Sequence, residues 1–491
     1  MTVSMNSIVS NIRTNTHHVE FDASRAVQGA LLKPSKALIM GIRLTAGTVA
    51  ELDPRRILSG DQADAYFGVG SQLAEMCRAW KYANPSTEVW ACGINALSGG
   101  TAGTKTLTIT ASAALAGTIH LYIVGKHYVP IAVAAGTAQN DIATAMDTAI
   151  KAHPNYARMP FTSSVATNVV TLTMKWKGVD VGDVRVNYNT SDQLPSGVSI
   201  AVAAAVAGAG NPDVSSILTA IGDVAWYDTI VMPWTDSTNL GLLETELAAR
   251  WGGMQQIDGQ AFSAVSGSHG TATSLGSARN SPHSTIMGAN TSPTPPWIWA
   301  AVTGAVDAAE PDPARPRQTL PLPGVLPAAT TALWGQSDRN LLLFDGISTH
   351  VVDQSGNVTI ERLITTYQTN AQGVPDVAYL DIETPRTLSA IRYDLRSSVS
   401  LRYPRHKKGR DGVALPPGQP ILTPSGLKAH AISRFDIWVS RGWVDGASKA
   451  QFVEELILDD DSSDVNRYVA QLGPDLMNQF RGLSAQIQFI L

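Results

Sequence analysis

Residues 228–265 read DTIVMPWTDSTNLGLLETELAARWGGMQQIDGQAFSAV, and they contain the pattern that decides the expected fold. The runs 228–232 and 260–265 are short, apolar and rich in strand-forming residues, as buried strands are. Residues 238–251 between them place apolar side chains on one face of a helix, namely Leu240, Leu243, Leu247 and Trp251. A strand, a helix and a second strand of these lengths predict a crossover unit of an α/β sheet.

The same alternation continues on both sides of this unit. Around it we expect, in chain order, helix 213–224, helix 271–280, strand 284–288 and helix 295–307. Closer to the start of the chain, residues 37–42 and 88–94 predict strands, and residues 61–80 predict one helix between them. The expected fold class is therefore α/β within an α+β multidomain chain, and we assign residues 26–96 and 210–310 to one α/β domain.

Residues 97–209 interrupt this domain with a different pattern. Two stretches rich in small residues, Ser98–Thr104 and Ala203–Gly210, flank the segment and are expected to be flexible connections. Between them the sequence reads mostly as strands with apolar and threonine side chains in alternation, together with one helix at 141–151. We predict that residues 97–209 form a small inserted β-rich domain.

The C-terminal part begins after a proline-rich segment. Residues 311–327 hold six prolines, so we assign 311–330 to an extended connector. Residues 331–483 predict a second α/β unit, with a hairpin formed by 348–352 and 358–366. Thr384-Pro385 and Thr423-Pro424 each place a capping residue before a first-turn proline, which predicts a helix start at both sites.

The two ends of the chain read as extended arms. Residues 1–25 have little core of their own, with Val19 and Phe21 on one face of a short extended stretch. In residues 484–491 the period of two places four apolar side chains on one face, namely Ala485, Ile487, Phe489 and Leu491. Such a strand must pair either within its own subunit or along the sheet edge of a neighbouring subunit. The first possibility describes an ordinary last strand, and the second describes a polymer-forming protein.

Composition excludes several functional classes. The 491 residues carry a net charge of −5, which argues against a general nucleic-acid binder. Charged residues are 16% of the chain, below the ~25% typical of soluble domains, which agrees with a surface covered by other subunits. No apolar run has the ~20 residues of a membrane span, and the first residues lack a signal peptide, so we expect folding in a cytoplasm without membrane insertion. Cys77 and Cys92 indicate no disulfide framework.

The motifs of nucleotide-binding enzymes and hydrolases are incomplete. Gly99–Lys105 lacks the Gly-Lys-Ser/Thr ending of a phosphate-binding loop, and Gly68-Val69-Gly70 lacks the third glycine of a dinucleotide fingerprint. Ser268 and His269 follow a predicted strand, where a hydrolase nucleophile would lie, but residues 266–270 are not Gly-x-Ser-x-Gly. We predict no catalytic residue and no cofactor, and an α/β hydrolase remains the weakest alternative.

Two charged clusters remain. The acidic turn, Asp459–Asp464, lacks the glycine and glutamate of a calcium-binding loop, so a solvated turn is favoured and no metal site is predicted. The basic loop, residues 402–410, contains Arg402, Arg405, Lys407 and Lys408. One basic loop in an acidic chain is weak evidence for nucleic acid, and a charge partner on an adjoining subunit explains it equally well.

The C-terminal third resembles the contractile tail sheath proteins of Mu-like bacteriophages, a branch of the myovirus tail sheath family. The resemblance is carried by these stretches: Asp353–Val358, Ile364–Tyr367, Tyr379–Ile382, Arg386–Leu388, Arg402–Lys407, Pro474–Phe480 and Gln486–Leu491. The middle of the chain agrees more loosely, and the first residues agree in character only. The resemblance implies an α/β sheath core, an inserted β-rich domain and extended N- and C-terminal β arms.

The resemblance also implies a function. It implies homo-hexameric rings that stack helically around a tail tube and contract to drive the tube through the host envelope. The implied partners are the tail tube protein and the baseplate and tail terminator proteins, in a virion tail assembled in the cytoplasm of a bacterial host. It implies no cofactor and no direct contact with nucleic acid.

Site residues follow as expectations. The arms would meet neighbouring subunits through Val19, Phe21, Ala485, Ile487, Phe489 and Leu491. The basic loop would meet an acidic surface of an adjacent ring, with Asp459, Asp460 and Asp461 as candidates. The inserted domain would lie on the outside, where no ring neighbour crowds it. A static self-assembling surface or capsid-like protein is the main alternative.

Overall fold

The computed structural model describes residues 31–33, 35–179, 184–190, 192–413, 416 and 418–490. Two compact units are present. The large unit contains the described residues of 35–386 and 479–490, and the small unit contains those of 31–33 and 387–478.

The large unit alternates strands and helices along the chain. Its strands are β1 (Lys36–Arg43), β2 (Arg55–Ile57), β3 (Glu88–Asn95), β4 (Thr104–Ala111), β5 (Gly117–Ile123), β6 (His127–Val133), β7 (Phe161–Ala166), β8 (Val169–Met174), β9 (Val186–Tyr188), β10 (Ser199–Val202), β11 (Thr229–Val231), β12 (Gln260–Ser266), β13 (Ser284–Asn290), β14 (Ile347–Val352) and β15 (Val358–Arg362). Its helices are α1 (Gly60–Phe67), α2 (Gln72–Ala83), α3 (Gln139–Ala152), α4 (Ser215–Ile221), α5 (Ser237–Trp251), α6 (His269–Gly276), α7 (Pro296–Ala309) and α8 (Gln336–Phe344). The helix α9 (Glu383–Arg402) begins in this unit and continues into the small unit.

An eight-stranded sheet forms the centre of the large unit. The strand order is β15-β14-β13-β12-β11-β1-β3-β2, and every pair from β14 to β3 is parallel. Parallel pairs require crossover connections, here made largely by helices, and α7 packs against β11, β12 and β13. Almost all of α7 is buried, as expected for a helix that is apolar on all sides. The predicted α/β class is confirmed.

The predicted helix 61–80 is in fact two helices. Ser59 caps α1 by accepting a bond from Gln62 N, and Ser71 caps α2 by accepting one from Ala74 N. Between them the chain turns with Gly68 at φ 90° and Gly70 at φ 74°. Only glycine adopts these angles readily, so the glycine pair ends the first helix.

The inserted segment contains two small sheets and one helix. The sheets have the orders β10-β4-β8-β7 and β6-β5-β9, and α3 packs against strands of both. Its predicted connections are paired, not flexible. Thr101 and Ala209 exchange two backbone hydrogen bonds of 2.9 and 3.1 Å, and Thr104 and Val206 exchange two of 3.0 and 2.8 Å. The backbone of one connector therefore satisfies that of the other.

The insert also packs on the α/β part of the large unit. The buried rings of Trp176 and Trp297 meet edge to face, with centroids 5.8 Å apart. Arg158 pairs with Asp61 at 3.0 Å and with Asp64 at 3.3 Å. An aromatic contact and ion pairs therefore hold the insert against the α/β part of the large unit.

The eight-stranded sheet crosses the boundary predicted at residue 331. The hairpin β14–β15, expected in a separate C-terminal unit, pairs through β14 with β13. The proline-rich connector lies along the other side of β15, with Thr319 N bonded to Ile360 O at 2.7 Å and Leu322 N bonded to Val358 O at 2.9 Å. Local pattern indicated these strands correctly, but the identity of a strand's neighbour depends on contacts distant in sequence.

The small unit packs helices around its own aromatic core. Its remaining elements are α10 (Pro424–Ser440), α11 (Lys449–Glu455), β16 (Lys407–Lys408), β17 (Ile421–Leu422), β18 (Ile457–Asp460) and β19 (Tyr468–Gln471). Thr423 caps α10 as predicted, by accepting a bond from Gly426 N. The rings of Phe435 and Phe452 stack with centroids 4.4 Å apart beside the buried Trp438.

Candidate subunit-interaction surfaces

The C-terminal arm has no partner in the described part of the chain. Residues 482–490 form no strand and no hydrogen bond with other described residues. Ala485 is exposed, as are Ile487 at 87%, Phe489 at 79% and Ile490 at 99%. Leu491 lies outside the described residues. Large apolar side chains at such exposure make this segment a candidate interaction surface.

The residues just before the arm are held firmly to the large unit. Gln479 Nε2 donates to Ala314 O at 2.7 Å, and Gln318 Nε2 donates to Phe480 O at 3.2 Å. Arg481 Nη2 donates to Asp381 Oδ1 and to Glu383 Oε2, both at 3.0 Å. The arm root, Gln479–Arg481, is therefore fixed while the arm itself is not.

The predicted contacts of the N-terminal arm, Val19 and Phe21, lie outside the described residues. The chain that follows this arm is attached to the small unit. Leu31 N donates to the buried Asp394 Oδ1 at 2.7 Å, and Lys33 Nζ donates to Ser389 Oγ at 2.7 Å. The described residues that adjoin the two arms thus belong to different units.

The basic loop finds an acidic partner in its own chain. Lys408 Nζ lies 2.6 Å from Asp460 Oδ1 and donates to Val465 O and Arg467 O at 2.9 and 2.8 Å. The same ammonium lies 4.6 Å from the centre of the Tyr468 ring. Lys408 thus has an acidic partner within its own chain, because the hairpin β18–β19 brings the acidic turn to the loop. The expected contact with an adjacent ring stays a prediction.

The remaining charges of the two clusters differ from Lys408. Within the described ranges, Arg402, Arg405, Lys407 and Asp459 form no ion pair. Asp461 pairs with Arg467, and hydrogen bonds from Ser463 and Arg467 hold the pKa of its carboxyl below the usual range. The charges without an ion pair among the described residues are the candidates for a contact with a neighbour.

A hairpin with open edges is the feature that sequence reasoning missed. The strands β18 and β19 form a two-stranded sheet with no third strand among the described residues, and Ile457 and Val469 are exposed on it. An isolated two-stranded sheet is marginal in water, and its free edges can accept another strand. The apolar residues on both sides of the acidic turn are the sequence signal of this hairpin.

The hydrolase alternative gains no support from the geometry. Ser268 Oγ accepts a bond from Thr271 N at 3.2 Å and thereby caps α6. His269 Nε2 donates to Asp338 O at 3.0 Å, which directs the imidazole away from a serine base role. Burial raises the pKa of the Cys92 thiol to about 12, and burial also raises the pKa of the Cys77 thiol, so neither thiol is activated as a nucleophile.

The described residues show neither a metal site nor a membrane-spanning helix. No three histidine, cysteine, aspartate or glutamate side chains in these ranges are grouped as a metal site would require. None of the helices there combines the length and the apolar character that a membrane crossing needs.

Comparison with known proteins assigns the class. The phage tail sheath protein central domain matches residues 207–366, and the phage tail sheath C-terminal domain matches residues 374–490. The chain is 35% identical, over 496 aligned residues and the full length of both proteins, to the Mu-like prophage FluMu tail sheath protein of Haemophilus influenzae. The chain therefore belongs to the phage tail sheath protein family. It is a structural component of the virion tail and not an enzyme.

Solved structures of sheath proteins are similar over most of the chain. The sheath tail protein from Desulfitobacterium hafniense has a TM-score of 0.48 at 12% identity, covering 94% of this chain and 100% of that one. The sheath tail protein from Listeria innocua has a TM-score of 0.49 at 10% identity, covering 93% and 95%.

Proposed function

We propose that the chain is the subunit of a contractile tail sheath, in which hexameric rings stack helically around the tail tube. Contraction of the stack would drive the tube through the host envelope. The observation that carries this proposal is the C-terminal arm, an apolar segment with the period of a strand that has no pairing partner among the described residues.

The physics of the arm favours a second copy as its partner. Backbone groups of an extended segment form hydrogen bonds when they add to an open sheet edge, and alternate side chains then enter apolar contacts. The hairpin β18–β19 offers such edges, with the apolar side chains of Ile457 and Val469 beside them. Donation of an arm by one copy to the hairpin of the next is a head-to-tail contact, and such contacts generate helical assemblies when they do not close.

The arms explain how an assembly could change length without coming apart. A strand exchanged between copies is a covalent continuation of its donor, so rings that slide or rotate remain linked. Contraction is then a rigid-body rearrangement between two packings. The extended packing would be held by a kinetic barrier and released at the baseplate.

The proposed partners follow from this arrangement. They are further copies of the chain, the tail tube protein, and the baseplate and tail terminator proteins, with assembly in the cytoplasm of the bacterial host. The relative in Haemophilus influenzae carries the name of a tail sheath protein, which supports this choice. The net charge of −5 disfavours direct contact with nucleic acid.

Negative-stain microscopy of the purified full-length protein tests the proposal. We expect rings or tubes. When the protein is assembled around its tail tube, the axial spacing of the rings should have one value before release and a smaller value after release. A static surface or capsid-like protein would give one packing only. A protein that stays monomeric at every concentration and salt condition would contradict the proposal.

A further inference from the structure

The arm root ends in a cluster of charges that extends far into the large unit. Asp381, which binds Arg481, also binds Arg362 at the end of β15, through two bonds of 2.9 and 3.0 Å. Glu383, the second partner of Arg481, accepts a bond from Arg317 N at 2.9 Å. The cluster therefore joins the root to the edge hairpin of the eight-stranded sheet and to the connector beside it.

The cluster continues to the helices of the sheet. Arg317 Nε donates to Asp307 Oδ1 at 3.0 Å, and Asp307 also pairs with Arg386. Arg386 reaches the start of β11, where Nη1 donates to Asp228 O at 2.8 Å. Side chains together with the backbone groups of Arg317 and Asp228 thus form one connected polar network from the arm root to the central strand β11.

Burial makes the contact at Arg481 different from a surface ion pair. Glu383 is 1% exposed, and this burial raises the pKa of its carboxyl despite the opposing effect of Arg481 and Arg317. The Nε and Nη1 atoms of Arg481 are buried as well. Loss of one partner from a buried charge pair is much more costly than loss from an exposed pair.

The change from fixed to free takes place within one residue. Arg481 donates hydrogen bonds to the carboxylates of Asp381 and Glu383, whereas Gly482 and the residues that follow form no hydrogen bond with described residues. A strand captured by a neighbouring copy would therefore pull on the chain at Arg481 first.

We propose that Arg481 is a positioning residue: its bridge to Asp381 and Glu383 fixes the arm root to the eight-stranded sheet, so that a copy holding the arm also holds the sheet. This inference rests on the proposed exchange of arms between copies. Arg481 itself need not touch the neighbour. It sets where the arm leaves the subunit and passes tension from the arm to the sheet.

The test compares three variants of the full-length chain. Arg481→Met removes the bridge, and Arg481→Lys keeps the charge but lacks the planar fork that binds two carboxylates together. Arg315→Met is the matched control, because Arg315 is an exposed arginine of the same unit. Its Nη1 atom lies 3.6 Å from Glu310 Oε2. A fourth variant combines Arg481→Met with Glu383→Gln, so that no buried carboxylate is left without its partner.

We expect limited proteolysis of the free subunits to show in which variants the arm root has become accessible. Chymotrypsin followed by mass spectrometry should cut the parent protein within the arm, at Leu483 and Phe489. The Arg481→Met variants should also be cut at Phe480, while thermal unfolding of the large unit stays close to that of the parent in the double variant.

Assembly is the decisive readout. The minimum protein concentration for tubes should rise by about tenfold or more in both Arg481→Met variants, because a loose root lowers the effective concentration of the arm. Arg481→Lys should lie between these variants and the parent, and Arg315→Met should equal the parent. Normal assembly by the double variant with a loosened root would overturn the inference. If a chain lacking residues 484–491 also assembles normally, the exchange of arms itself is wrong.

Discussion

The C-terminal arm and the basic loop differ in how many of their groups find partners within their own chain. The arm presents Ile487, Phe489 and Ile490 to solvent and forms no hydrogen bonds within the described residues. The basic loop places Lys408 against Asp460 and two backbone carbonyls of the acidic turn. The arm is therefore the residue set on which we base the proposed intersubunit contact, whereas Lys408 already has partners in its own chain.

This difference separates two kinds of sequence signal. An apolar strand without a partner is costly in water, since its large apolar side chains remain exposed and its backbone groups are open to pairing with another chain. An exposed charge is well solvated alone, so a cluster of charges says little about whether it is covered.

The largest expected effect comes from removing the arm. Deletion of Ser484–Leu491 should abolish tube formation and leave a soluble, folded subunit, because we propose that the strand pairs with a neighbour and not with its own core. Static light scattering and thermal unfolding measure the two properties. A full-length control with Ile487→Ser and Phe489→Ser should behave like the deletion, since it keeps the backbone but loses the apolar contacts. Loss of cooperative unfolding by the truncated chain would contradict the assignment.

Replacing the insert should have an intermediate effect. A Gly/Ser linker in place of residues 97–209 exposes Trp297, which packs on Trp176, and leaves Asp61 and Asp64 without Arg158. We expect a thermal midpoint lower by several degrees and tubes that still form, since the insert is proposed to lie outside the rings.

A second variant separates packing from assembly in that experiment. Adding Trp297→Gln to the linker variant should keep it soluble, because the exposed indole is removed. A well-folded variant of this kind that never polymerises would assign an essential subunit contact to the insert.

The smallest effect is expected at the basic loop. Arg405→Gln with Lys407→Gln removes charges that have no ion pair in the described chain, so the ratio of tubes to free protein should shift and depend less on salt. Each such pair is worth only ~0–1 kcal/mol, although every subunit of an array repeats it. Lys408→Gln is the control, since it disturbs an intramolecular contact. An unchanged ratio and unchanged salt dependence would make the loop a solvated turn.

The elements of the fold were largely predictable, because strands and helices follow local patterns. The βαβ unit within residues 228–265 and the helix cap at Thr423 are confirmed, since each depends on residues close in sequence. Three features were not predicted: the pairing of β14 with β13, the packing of the insert on the α/β part, and the end of the first helix at Gly68. The first two depend on contacts distant in sequence, and the third depends on backbone angles that small residues permit without requiring.

The candidate site was predictable in the same uneven way. The period of two in residues 484–491 predicted an extended apolar segment, since the alternation is visible in sequence alone, whereas the exposure of its side chains is seen only in the structure. The bridge from Arg481 to Asp381 and Glu383 was not identifiable, because its partners lie about one hundred residues away and the local sequence gives no sign of burial.

Hydrogen exchange of the arm tests the central claim most directly. The amides of residues 484–490 should exchange at the rate of an unstructured chain in the free subunit and become strongly protected in assembled tubes, because a strand added to a neighbour's sheet donates its N–H groups. The hairpin β18–β19 should gain protection in the same tubes. Arm amides that exchange equally fast in tubes, or that are already protected in the free subunit, would contradict the proposal that this strand joins one copy to the next.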